Sequence, residues 1–96
     1  MPVVITEVEL DRVNTGTGEY AVKVYNNDHT PFTRVMGVFI ISCGYDEQTA
    51  EAYTMKIHKE GSSICYWSNK ARCQEVVDDF NRIAVRAEVI EPKIFT

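Results

Sequence analysis

Residues 25–32 read YNNDHTPF, and the interpretation of this octapeptide decides the fold. Just before it, Tyr20, Val22 and Val24 alternate with Ala21, Lys23 and Tyr25, the two-residue period of a strand. Just after it, Val35, Val38, Phe39 and Ser42 recur at helical spacing, with Met36 and Ile40 alongside, which predicts a helix over 31–42. Thr30 is a suitable N-cap, and Pro31 at the first helical position gives up only an N–H that would lack a partner anyway. Asn26, Asn27 and Asp28 therefore fall on a short strand-to-helix connection, where side-chain oxygens can converge on a cleft. Acceptor oxygens beside apolar walls suit a ligand with a cationic donor head and an apolar tail. The same residues are also ordinary turn formers, and the octapeptide alone leaves both readings open.

Working outward toward the C-terminus, Gly44 stops the first helix and Asp46 caps a second over 47–60, which Gly61 ends. On this helix Ala50, Tyr53, Thr54, Ile57 and His58 share one face, mostly apolar and bearing one imidazole. Residues 62–67, SSICYW, read as a short strand, whose alternation turns one of Tyr66 and Trp67 inward. Ser68 caps a third helix over 69–84 with Cys73, Val76, Val77, Phe80 and Ala84 inward. Residues 85–91 close the chain as a strand, alternating Val85, Ala87 and Val89 with Arg86, Glu88 and Glu91. Toward the N-terminus, residues 3–13 are β-patterned and NTGTG at 14–18 is turn chemistry. Residues 1–18 are thus an arm or an added edge strand, and 19–96 the domain proper. The expected fold is α+β: three helices packed on one face of a small three-stranded sheet, in the order β-α-α-β-α-β, with or without an extra N-terminal strand.

Composition narrows the function. Ninety-six residues support one domain with a modest core. A net charge of −4 argues against a general nucleic-acid binder, which needs a basic face to neutralise phosphates. No apolar run approaches the ~20 residues that span a bilayer, so no membrane partner is expected. The opening MPVVITEVELD lacks the basic-then-apolar profile of a signal peptide. Cys43, Cys65 and Cys73 are odd in number and lack C-x-x-C spacing, as expected of reduced, packed thiols in a cytoplasmic protein.

Catalytic chemistry is weakly written. His29, His58 and Asp28 offer metal-ligating atoms, but no recognised ligand spacing joins them. Cys65 and Cys73 have no histidine close in sequence, and each sits where a small apolar residue packs. No cofactor motif is present. A lone histidine at 58 is most simply a hydrogen-bonded residue at the core edge. Together with the Asn-Asn-Asp connection, however, it would complete an acceptor-rich nest.

At this point the chain resembles the ClpS family, the substrate adaptors of the Clp ATP-dependent protease. The likeness covers residues 20–65. It rests on YAVKVYN, on the N-[ND]-D-x-T-P signature at residues 26–31, on the valine-bearing helix that follows, on Ile57-His58-Lys59-Glu60-Gly61, and on Ile64-Cys65. The resemblance implies a non-enzymatic adaptor that binds the bulky N-terminal residue (N-degron) of other proteins. It would hand them to a Clp-type AAA+ unfoldase of the ClpA or ClpC kind.

By the same resemblance Asn26, Asn27 and His58 match positions that meet the α-amino group. Asp28 and Thr30 match the pocket mouth, Pro31 the helix start, and Ile57 a wall. Phe32 stands at a gate position and Thr54 at a pocket position, both usually Met. Three departures stand out. Asn27 replaces an aspartate, and charged hydrogen bonds are worth roughly 1.5–3 kcal/mol against ~1 for neutral ones. The unfoldase-docking acid and lysine fall on Ala71 and Val76, so those docking residues are not matched. The loop before the last strand is shortened. The alternative function is an interaction module that keeps the fold without N-degron binding; a cavity filled by Phe32 would favour it.

Overall fold

The structure, a computed structural model, describes residues 20–91. The expectations for residues 1–18 lie outside them. The elements are β1 (Tyr20–Tyr25), α1 (Phe32–Cys43), α2 (Glu47–Glu60), β2 (Ser62–Ser68), α3 (Lys70–Arg82) and β3 (Ala87–Ile90). The sheet is antiparallel with order β2-β1-β3. β1 is therefore central and paired on both sides.

One core joins the layers. Val22 and Val24 from β1 meet Phe39 from α1, Ala50, Tyr53 and Ile57 from α2, and Cys73, Val76, Val77 and Phe80 from α3. α2 and α3 lie against the sheet, and α1 packs on both helices. Phe39 is the hinge of this packing: its ring sits edge-on to Phe80 at 5.0 Å and stacks beside Tyr53 at 5.6 Å. Such aromatic pairs add about 0.5–1.5 kcal/mol beyond the area they bury. Tyr45, between α1 and α2, closes the cluster, and its hydroxyl donates to the Cys65 carbonyl.

α2 has the expected bounds because both of its ends carry local signals. Asp46 accepts from the Thr49 N–H at 2.8 Å, and Gly61 leaves the helix at φ 87, a left-handed conformation that suits glycine. Elsewhere tertiary contacts moved the boundaries. α1 begins after Pro31, which stands at the cap position without a side-chain bond, instead of after Thr30. The Thr30 hydroxyl is drawn instead to the Ile83 carbonyl, 3.0 Å away. The cap of α3 is Asn69, not Ser68, because pairing with Tyr20 holds Ser68 in β2. Asn69 caps as well as serine would, accepting from the Arg72 N–H at 2.8 Å.

α3 stops at Arg82, short of Ala84, and β3 starts at Ala87. Between them Ala84 turns the chain at φ 62 and is exposed, not inward. Left-handed backbone costs an alanine about 1–2 kcal/mol, so no local propensity announces this turn. β2 also departs from strict alternation. Its register against β1 jumps from Tyr66 to Ile64, leaving Cys65 as a bulge. Cys65 is fully buried, and Tyr66 and Trp67 are both half-buried against the core.

Candidate functional site

A cavity of about 230 Å³ opens where the end of β1, the connection 26–31, the start of α1, the end of α2 and the turn before β3 meet. Short-range bonds bring these pieces together. The Asn26 N–H donates to the Gly61 carbonyl at 2.8 Å, and the Gly61 N–H to the Ile57 carbonyl at 2.8 Å. The left-handed glycine thus folds the end of α2, with Ile57 and His58, onto the start of the connection. On the opposite side the Tyr25 N–H donates to the Arg86 carbonyl at 2.9 Å, which carries β1–β3 pairing up to the cavity.

The floor is apolar and belongs to the core. Ile57 is 3% exposed, Thr54 4% and Val85 2%. Val85 is held by its own N–H, which donates to the Phe80 carbonyl. Thr54 turns its hydroxyl back to the Ala50 carbonyl at 2.7 Å, so its one donor proton is spent within α2. Its effect on the cavity is mainly one of size. Phe32 and Val35 form the α1 side. Phe32 remains 36% exposed, beside the opening rather than filling it.

The mouth is polar. Asn26, Asp28 and His58 line it and are solvent-exposed. Asp28 supplies the one carboxylate among the described lining residues. Asn27 also borders the cavity, but its side chain is committed within the protein. Oδ1 accepts from the His29 N–H at 2.9 Å and the Thr30 N–H at 2.8 Å, while Nδ2 donates to the Ala84 carbonyl at 2.7 Å. The Asn27 acceptor is thus already engaged by two backbone N–H groups.

Of the nine residues singled out from the sequence, Asn26, Asn27, Asp28, Thr30, Phe32, Thr54, Ile57 and His58 border this one cavity. Pro31 does not; its carbonyl instead starts α1, accepting from the Arg34 N–H at 3.0 Å. Tyr25, Val35 and Val85 complete the lining and were not singled out. Tyr25 ends β1 and Val35 lies in the first turn of α1, both in elements that periodicity predicts. Val85 follows an unsignalled turn, and nothing in the linear spacing joins it to Thr54.

The thiols lie away from the cavity. Burial pushes Cys43 up to about 12, and pushes Cys65 and Cys73 up as well, so all three stay protonated near neutrality. Among the described residues no group of three or more His, Cys, Asp and Glu side chains could hold a metal ion. None of the described helices is long and apolar enough to cross a membrane.

Comparison with known proteins agrees with this architecture. The solved structure of Agrobacterium tumefaciens ClpS2 bound to L-phenylalaninamide matches with a TM-score of 0.69 and 18% identity. The match covers 75% of this chain and 94% of the other, a likeness of fold. A search of curated proteins found no match. The family model for the ATP-dependent Clp protease adaptor protein ClpS matches residues 16–92, well over half of the chain. The chain belongs to the ClpS family of Clp protease adaptors.

Proposed function

We propose that this protein is a non-enzymatic, cytoplasmic adaptor that binds the N-terminal residue of substrate proteins and delivers them to a Clp-type AAA+ protease. The observation that carries the reading is the cavity itself, which is open, apolar at its floor and lined with acceptors at its mouth. An apolar cavity of ~150 Å³ already accepts a benzene ring, so about 230 Å³ leaves room for a bulky side chain. The ligand of ClpS2 is in keeping with this chemistry: L-phenylalaninamide presents one aromatic side chain and one free α-amino group.

Burial of a bulky side chain contributes roughly 1.5–3 kcal/mol, and hydrogen bonds to a charged head about 1.5–3 kcal/mol. Further contacts along the peptide add to this, and ordering opposes it. The balance points to micromolar-class binding, about −8 kcal/mol. Delivery to the unfoldase would use a surface other than the family's docking pair. Ala71 carries no charge, and Val76 is fully buried in the core.

Fluorescent peptide titration tests the reading. Leu- or Phe-initiated peptides should bind, and N-acetylation should weaken them about tenfold or more. Equal binding of free and acetylated peptides would remove the amino-group role. It would favour the alternative, an interaction module without N-degron recognition.

A further inference from the structure

We infer that Asn27 serves the proposed recognition as a positioning residue: it hangs the pocket loop on the turn between α3 and β3 and does not itself receive the guest's ammonium group. The inference rests on the N-degron reading of the cavity. Its basis is the set of partners already given to this side chain. Two backbone N–H groups, from His29 and Thr30, converge on one atom of the amide. Only the oxygen can accept both, which settles the amide's orientation. A side-chain carbonyl has two lone pairs, and both are spent. An ammonium group has three donors and no acceptor. What Asn27 retains is a second N–H, a donor that would face another donor. The remaining acceptors of the mouth, Asn26, Asp28 and His58, are left to take the head group.

The loop has two suspension points, on consecutive carbonyls of one turn. Asn27 Nδ2 donates to the Ala84 carbonyl at 2.7 Å, and the Thr30 hydroxyl to the Ile83 carbonyl at 3.0 Å. The next residue, Val85, lines the cavity floor. A single turn, bent by the left-handed Ala84, therefore sets the spacing between mouth and floor. Aspartate at position 27 would keep both acceptor bonds but has no proton for the Ala84 carbonyl. It would set a carboxylate against that carbonyl oxygen and push the loop off its support. A substitution that adds negative charge beside a cationic guest is thus expected to weaken binding.

The test is the sign of that effect. The protein and its Asn27→Asp variant are titrated with fluorescent Phe- and Leu-initiated peptides bearing free N-termini, each well below its melting temperature. Asn27→Asp should raise Kd about three- to tenfold. A lower Kd would mean that the side chain faces the ammonium and would overturn the inference. An unchanged Kd with a lower melting temperature would also overturn it, leaving Asn27 a role in stability alone.

A second readout stands if the variant does not fold. In ¹⁵N NMR spectra of the unsubstituted protein, one proton of the Asn27 side-chain amide should be protected from exchange and should remain so at peptide saturation. Two protons exchanging equally fast would overturn the tether. Failure of the N-degron reading looks different: the unsubstituted protein would bind free and acetylated peptides alike, with the Asn27 amide still protected.

Discussion

The floor and the mouth of the cavity are built on opposite terms. Ile57, Thr54 and Val85 are at most 4% exposed, and Ile57 and Val85 belong to the cluster that holds the sheet and helices together. Asn26, Asp28 and His58 stand in solvent on the edges of two elements and a connection. The floor is thus shaped by the same forces that fold the chain, and it cannot be altered without altering stability. The mouth contributes little to stability and is free to be specialised for a ligand's head group. Asn27 joins the two, since it borders the mouth but bonds to the residue that precedes Val85.

The largest expected effect tests the floor. Ile57→Ala should lower unfolding free energy by about 2–5 kcal/mol, the range for truncating a buried aliphatic side chain, read as a shift in urea midpoint at constant slope. An unchanged midpoint would show that the floor is not part of the core. Substitutions at the mouth should behave in the opposite way. Asn26→Ala and His58→Ala should leave the urea midpoint within about 0.5 kcal/mol. Each should cost about 1–3 kcal/mol in affinity for free-amine peptides, with the difference between free and acetylated peptides shrinking in step. Full retention of that difference in both variants would place the head group elsewhere.

Thr54 sharpens the comparison at smaller scale. Threonine is smaller than the methionine that the family resemblance implies at this position, so β-branched or larger aromatic N-termini should be tolerated. Thr54→Met should narrow the preference toward Leu and Phe by roughly 1 kcal/mol per guest, the scale of one or two methylenes. The same ranking of Leu, Ile, Phe and Trp peptides in both proteins would mean that Thr54 does not meet the guest. Because its hydroxyl already serves Ala50, Thr54→Val should change the ranking less than Thr54→Met.

The smallest effect lies outside the cavity and concerns pH. Hydrogen bonds from Thr49 hold the Asp46 carboxyl below its ordinary value of 3.8. A depressed carboxylate contributes stability that is present above the unfolded value and lost as pH falls through the folded one. Thermal melts should therefore show a loss beginning near pH 4 and continuing below it. In Asp46→Asn, which keeps the cap without the titration, that component should disappear. An identical acid profile in the two proteins would remove the cap from the account.

Much of this arrangement is legible in the linear chain, for reasons that differ by element. α2 could be bounded to the residue because Asp46 and Gly61 act on backbone groups within one turn of themselves. β1 and the inward faces of α1 and α3 follow from periodicity, since Val22, Val24, Phe39, Cys73, Val76, Val77 and Phe80 are buried where their spacing puts them. That the connection and the end of α2 share a cavity is implied by the family resemblance and not by any spacing along the chain. The end of α3 was not legible. Ala84 carries no turn signal, and its left-handed conformation goes with bonds that close the helix end, from the Ala84 N–H to the Asn81 carbonyl and from the Val85 N–H to the Phe80 carbonyl.

What the sequence determined by itself was therefore the element order, most of the core and the chemical character of the mouth, all of which depend on near neighbours. Near neighbours, the His29 and Thr30 N–H groups, occupy the Asn27 acceptor, and what the tertiary structure decided is where its donor goes. Asn27 and Asn26 are adjacent and chemically identical, yet only Asn27 has two N–H donors and a carbonyl gathered around its amide. The carbonyl comes from Ala84, 57 residues away. A side chain's donors and acceptors are a local property, but whether they are already satisfied depends on what the fold brings within 3 Å. The same holds for Val85, which joins Thr54 and Ile57 only because the turn before it closes.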